Sequence, residues 1–93
     1  MKIVEETGKF IALNDDSKII GELRFSLAGE KLWVIDYTHV NSEFRGQNIG
    51  SYLVGYAAEA AREKGIKILP LCSFASHDMQ KNLEKYLDVL HQI

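Results

Sequence analysis

The apolar positions of the chain change period once, near Val40. Before that point they alternate with polar residues, as strands do; after it they recur every three or four residues, as helices do. Lys2–Glu5 and Lys9–Leu13 flank Glu6-Thr7-Gly8 and predict two strands joined by a turn. Asn14-Asp15-Asp16-Ser17 is a cluster of turn formers. Ile19, Gly21, Leu23, Phe25 and Leu27 then alternate with Ile20, Glu22, Arg24 and Ser26, which predicts a half-buried strand with one mostly polar face. Ala28-Gly29-Glu30 turns the chain into Lys31–Val40. Strict alternation puts Leu32, Val34, Asp36, Thr38 and Val40 on one face of that strand and Trp33, Ile35, Tyr37 and His39 on the other. Both faces carry large apolar groups, so the strand is expected to be central and covered on both sides.

Ile49, Leu53, Ala57, Ala60 and Ala61 form one stripe of a helix, with Glu59, Arg62 and Glu63 on its other faces. Gly65 suits a left-handed C-terminal cap. Ile66–Cys72 predicts a short strand, and a strand–helix–strand crossover implies parallel pairing. A last helix is predicted from about Ser76 to Leu90, with Met79, Leu83, Tyr86, Leu87 and Leu90 on one side. The expected fold class is α+β: an antiparallel meander leading into one βαβ unit, in the order β-β-β-β-α-β-α. No repeat or linker divides the 93 residues, so one domain spanning 1–93 is expected.

Composition narrows the function classes. The chain is 46% hydrophobic, with seven glycines and one proline, which is the balance of a folded domain and not of a linker. Formal charge is −2 with scattered basic residues, so there is no concentrated footprint for nucleic acid. No apolar run approaches the roughly 20 residues of a membrane-spanning helix. Cys72 is the single cysteine, which excludes an intramolecular disulfide and a zinc-binding cysteine pair. A reducing, cytoplasmic setting is expected, with no metal and no membrane partner.

The chemistry concentrates in Glu43–Leu53, EFRGQNIGSYL, where a strand hands over to a helix. A helix start exposes N–H groups without intrahelical partners and carries partial positive charge, so it favours an anion. Glycine permits close approach to the backbone, and arginine adds a permanently charged fork. Arg45–Gly50 therefore reads as a phosphate cradle; a tight turn whose glycines only permit the backbone path fits the same residues. Neither a G-x-x-x-x-G-K-[ST] loop nor a G-x-G-x-x-G fingerprint is present.

Arg45-Gly46-Gln47-Asn48-Ile49-Gly50 resembles the pyrophosphate-binding motif [Q/R]-x-x-G-x-[G/A] of the GNAT superfamily of acetyl-CoA-dependent N-acetyltransferases. Arg45 fills the first position and Gly50 the last; Asn48 stands where the middle glycine is usual. Thr38-His39-Val40 before the motif and Pro70-Leu71-Cys72-Ser73-Phe74 after the helix are similar to a compact, stand-alone group of such proteins. The resemblance covers Asp36 to about Phe74.

This resemblance implies parallel strands that splay apart around the pantetheine arm of CoA. It places Val40 at the acyl arm and Arg45, Gly46, Gln47, Asn48, Ile49 and Gly50 around the pyrophosphate. The implied activity is transfer of an acetyl group from acetyl-CoA to an unidentified amine. Cys72 would be an acyl-accepting nucleophile in a two-step route, as proposed for the resembling group, or a packed small hydrophobe. His39, at the strand end, is the candidate base. Helix capping accounts for Ser76 and Asp78. The early strands are separated only by turns, so a partner or second subunit would complete the acceptor side. A non-catalytic CoA-binding or partner-interaction module is the alternative.

Overall fold

The computed structural model describes residues 1–91. Its alternating first part forms four antiparallel strands: β1 (Lys2–Glu6), β2 (Lys9–Leu13), β3 (Ile19–Leu27) and β4 (Leu32–Val40). A short 3-10 turn, Ser42–Phe44, leads to helix α1 (Ile49–Lys64). Strand β5 (Lys67–Pro70) returns parallel to β4, which makes a five-stranded sheet of order β1-β2-β3-β4-β5. Helix α2 (Ser73–Lys81) and the single turn α3 (Leu83–Tyr86) follow. The α+β architecture is the expected one: a meander that runs into a βαβ unit.

Packing follows from the stripe on α1. Leu53, Val54, Ala57, Ala58 and Ala61 are buried against Phe10, Leu23, Trp33, Ile35 and Ile68 of the sheet. The small alanines let the helix lie close to the sheet, and the aromatic side chains fill what remains. Phe25 and Trp33 rings lie 4.4 Å apart, and Phe10 meets Phe25 at 5.3 Å and Tyr56 at 5.4 Å. Gly65, with φ 69°, ends α1 in the left-handed cap, its N–H bonded to Ala61 and Arg62 carbonyls. Among the described residues no helix is long and apolar enough to cross a membrane.

Several expectations are corrected. Strict alternation along β4 fails at Asp36: Arg24 pairs with Tyr37 and Phe25 with Ile35, leaving Asp36 without a partner in β3. This β-bulge shifts the faces by one residue. Thr38 and Val40 therefore join Trp33 and Ile35, while Tyr37 and His39 move to the opposite face. A second irregularity, between Leu13 and Ala12, leaves Ile20 unpaired and buried while Ile19 is exposed. Nor is β4 covered fully on both faces: Trp33 and Ile35 are buried, Leu32 and Val34 only half-buried.

The strand expected over Ile66–Cys72 stops at Pro70. The helix expected from Ser76 starts at Ser73, with Cys72 at its N-cap. Ser76 and Asp78 thus lie inside α2 and cap nothing. The helix then breaks at Asn82, whose backbone N–H and side-chain amide both donate to the Asp78 carbonyl. That break splits the apolar stripe. Met79, Tyr86 and Leu90 are buried, while Leu83 and Leu87 stay exposed. Beyond α3, Val89 and His91 bond to both backbone groups of Ile68 and cover the outer edge of β5.

Candidate active site

The site begins where β4 and β5 stop pairing. Their parallel ladder runs only from Leu32–Ile35 to Lys67–Pro70. Pro70 has no N–H to continue it. The Ile35 carbonyl instead accepts the N–H groups of both Leu71 and Cys72, each at 3.0 Å, and the chain turns into α2. From Asp36 onward β4 pairs with β3 alone. One edge of Thr38–Val40 is left without a strand partner.

A groove of about 420 Å³ opens beside that edge. Thr38–Val40 form one wall, Phe44–Gly46 and the first turn of α1 form its end, and Phe74, His77, Asp78 and Lys81 of α2 form the other wall. At the head of α1, Asn48 adopts φ 61° and ψ 23°, and no side chain caps the helix. The first-turn N–H groups therefore retain their capacity for an anion. Gly46 also has positive φ, 85°, so the turn needs left-handed backbone at both positions. Arg45 donates from Nε to the Val40 carbonyl at 3.2 Å, which ties its guanidinium to the end of β4. Gly50 lies under the ring of Phe74.

Charge in the groove is mixed. Arg45, His77 and Lys81 supply exposed nitrogen groups; Asp78 is buried on the α2 side. Its Oδ1 accepts a 2.6 Å hydrogen bond from Ser51 Oγ, and its Oδ2 has no partner. Among the described residues no cluster of three or more His, Cys, Asp or Glu could hold a metal.

The structure brings together most of the residues singled out by sequence. Val40, Arg45, Gly46, Asn48, Ile49 and Gly50 all line the groove. Gln47 does not; it faces a separate recess with Asn14 and Asp15. Cys72 is half-buried, with Sγ 3.5 Å from Thr38 Oγ1. His39 borders the groove from β4, and its ring stacks on Tyr37 at 6.0 Å. Adjacent strand residues point to opposite faces, so the side chain of His39 leaves β4 away from Thr38 and Cys72. These two candidates do not form a pair.

The α2 wall was missed by sequence. Phe74, His77, Asp78 and Lys81 share one helical face by their spacing of three and four. That signal was present, but it depends on starting the helix at Ser73.

The family model described as GCN5-related N-acetyl-transferase matches residues 9–89. A GCN5-like protein of Staphylococcus aureus is 32% identical over 99% of this chain and 89% of its own, with TM-score 0.77. An Escherichia coli GNAT family N-acetyltransferase in complex with CoA is 25% identical over 68% of this chain, with TM-score 0.61. A further Staphylococcus aureus GNAT acetyltransferase, 18% identical over 80% of this chain with TM-score 0.67, shares the fold. This chain spans only 38% and 50% of the latter two proteins. No curated protein sequence matches.

Proposed function

Because this chain belongs to the GCN5-related N-acetyltransferase family, we propose that it binds acetyl-CoA in the groove and passes the acetyl group to an amine. The observation that carries this reading is the parting of β4 from β5 at Ile35 beside an uncapped helix start. The gap gives an extended arm a backbone edge to lie along, and the helix start gives its phosphates N–H donors. The CoA complex of the 25% identical Escherichia coli protein supports the same ligand.

In this reading Arg45, Gly46, Asn48, Ile49 and Gly50 hold the pyrophosphate, and Val40 borders the acyl arm. Acetyl-CoA supplies an activated acetyl group as a thioester. The protein aligns it with a neutral amine. The nitrogen bonds to the acetyl carbon, the C–S bond breaks, the amine gives up a proton and CoA leaves as the thiol. His39 is the base candidate. Direct transfer is supported by the position of Cys72, which contacts Thr38 and does not line the groove. In the second route Cys72 Sγ takes the acetyl group first, releases CoA and then yields it to the amine. Residues 1–93 act as one domain. The amine side is walled by a partner or second subunit, since only turns join β1 to β4.

One structural feature favours a second reading, a binding module without transfer: His39 and Cys72 lie on opposite faces of β4. Thermal unfolding with acetyl-CoA, CoA, ATP and NAD tests both, because a ligand of the native state raises apparent stability by mass action. A shift with both CoA species and none with ATP or NAD is expected. No shift at millimolar CoA overturns both readings. A shift without CoA release across a panel of amines leaves the binding module.

A further inference from the structure

We propose that Asp78 is a co-substrate-binding residue, whose free carboxylate oxygen accepts a hydrogen bond from the hydroxyl or an amide N–H of the pantetheine arm. The proposal rests on the CoA reading above. Asp78 is the one buried polar or charged side chain among the described residues, only 3% exposed. Ser51 satisfies Oδ1 at 2.6 Å, and Oδ2 is buried with no partner. Burying an acceptor oxygen without a donor is costly, and more so when it is charged. A purely structural link to Ser51 would need only one oxygen. Asp78 is itself one of the residues that line a groove with room for a ligand, and Oδ2 lies closed off just behind that wall.

Place and charge select the donor. Ser51 lies in the first turn of α1 beside Gly50, so Asp78 stands one hydrogen bond from the phosphate cradle. Its helix follows the N-cap residue Cys72, which touches Thr38 where β4 and β5 part. An arm running from the cradle toward Thr38 passes along this wall. A carboxylate repels phosphate, so Asp78 is not a ligand of the pyrophosphate. The groove cations do not satisfy it either: neither His77 nor Lys81 bonds to it. The matching partner is a neutral donor. The pantetheine arm carries a hydroxyl and amide N–H groups next to the pyrophosphate.

The test compares CoA with 3′,5′-ADP, which keeps the adenosine and the first phosphate of the pyrophosphate but lacks the second phosphate and the arm. Binding of both to the full chain is measured by calorimetry in EDTA, for the wild type, Asp78→Ala and Ser51→Ala. Asp78→Ala is expected to weaken CoA by about tenfold or more, the effect of one hydrogen bond to a charged group. It should leave 3′,5′-ADP unchanged or slightly tighter. Binding of 3′,5′-ADP also reports that the variant is folded. Ser51→Ala removes the structural link but keeps the free oxygen, so the ratio of the two affinities should stay at the wild-type value. Equal loss of both ligands in Asp78→Ala, or unchanged CoA affinity, overturns the proposal. So does an Asp78 effect that appears only when magnesium replaces EDTA, which would assign the oxygen to a bridging cation. Failure of the wild type to bind either ligand overturns the CoA reading itself, a result distinct from a wild type that binds CoA and an Asp78→Ala variant that binds it equally well.

Discussion

The ring of Phe74 rests on Gly50: a β-carbon added to Gly50 would lie 2.7 Å from Cζ and 2.8 Å from Cε2 of that ring. This contact closes α2 onto the head of α1 and explains a glycine inside a helix. Phe74 is 42% exposed, so its ring can swing aside at moderate cost. Gly50→Ala gains up to about 1 kcal/mol in helix propensity and loses roughly 1–3 kcal/mol to overpacking. A net loss of about 1 kcal/mol is expected. In a Phe74→Ala background the clash is gone, and the same change should become neutral or stabilising. Urea denaturation of the four proteins measures the coupling. Additive effects would mean that the two residues do not meet.

Asn48 sits at φ 61°, where glycine is the residue without a steric penalty and asparagine the tolerated substitute. Replacing it by glycine removes residual strain but adds entropy to the unfolded chain, terms of similar size. Asn48→Gly is therefore expected within about 0.5 kcal/mol of the wild type, with CoA affinity unchanged or improved. A β-branched residue gets no such tolerance. Asn48→Val should lose about 1–2 kcal/mol. Equal stability of the glycine and valine variants would remove the left-handed turn from the account.

These two turns show how much could be read without coordinates. Asn48 was legible as standing where the motif usually has glycine, and the left-handed backbone there is the reason few other side chains fit. Pro70 lacks an N–H, a local signal that the strand expected over Ile66–Cys72 loses its ladder there. Period gave β3, β4 and α1, while turn residues marked β1 and β2. It could not give the bulge at Asp36, because one unpaired residue leaves the hydrophobic count unchanged and alters only the faces. That single residue put Thr38 against Cys72 and turned His39 away. Asp78 was misread for a related reason. Its role depends on Ser51, 27 positions earlier, and no local pattern records such a contact.

Arg45 is held by the bond from Nε to the Val40 carbonyl, which leaves its terminal nitrogens for a ligand. Lysine keeps the charge but carries all its donors on one terminal nitrogen, so it cannot bond Val40 from the stem while its tip faces a ligand. Arg45→Lys and Arg45→Ala should both weaken CoA, by about fivefold and tenfold or more respectively. The alanine variant should also show a shallower dependence of affinity on salt, since one exposed cation is lost. Both variants should unfold as the wild type does, because Arg45 is exposed. Unchanged affinity with an intact fold would move the phosphate away from this turn.

The end of α1 is fastened to the segment after α3 by a bidentate pair. Arg62 donates from Nε to Asp88 Oδ2 at 2.6 Å and from a terminal nitrogen to Oδ1 at 2.9 Å. Hydrogen bonds from Arg62 hold the Asp88 carboxyl below its ordinary range, and the same bonds raise the Arg62 guanidinium. A depressed carboxylate contributes stability that is present above its unfolded value, near about 3.9, and is lost as pH falls through the folded value. Arg62 stays charged throughout and adds no further pH dependence in this range. Melting temperature should thus fall as pH drops below about 4, and Asp88→Asn should fall less steeply there. Identical pH profiles for the two proteins would show that the pair is screened out in solution.

Cys72 decides between the two routes of transfer. Its Sγ lies 3.5 Å from Thr38 Oγ1, at the point where β5 ends and α2 begins. The thiol is half-buried and is not among the residues lining the groove. A nucleophile for a bound thioester must reach the carbonyl carbon at about 3–3.5 Å, which places it on the groove wall. An amine entering from the open side needs no residue to carry the acetyl group. Direct transfer predicts that Cys72→Ala keeps kcat within about tenfold of the wild type, the loss being one of packing and not of chemistry. It also predicts that the wild type, incubated with acetyl-CoA and no amine, gains no acetyl mass at Cys72. Mass spectrometry of the intact protein and of its Cys72 peptide checks this. Stoichiometric acetylation of Cys72 at a rate matching turnover, with an inactive Cys72→Ala, would establish the two-step route instead.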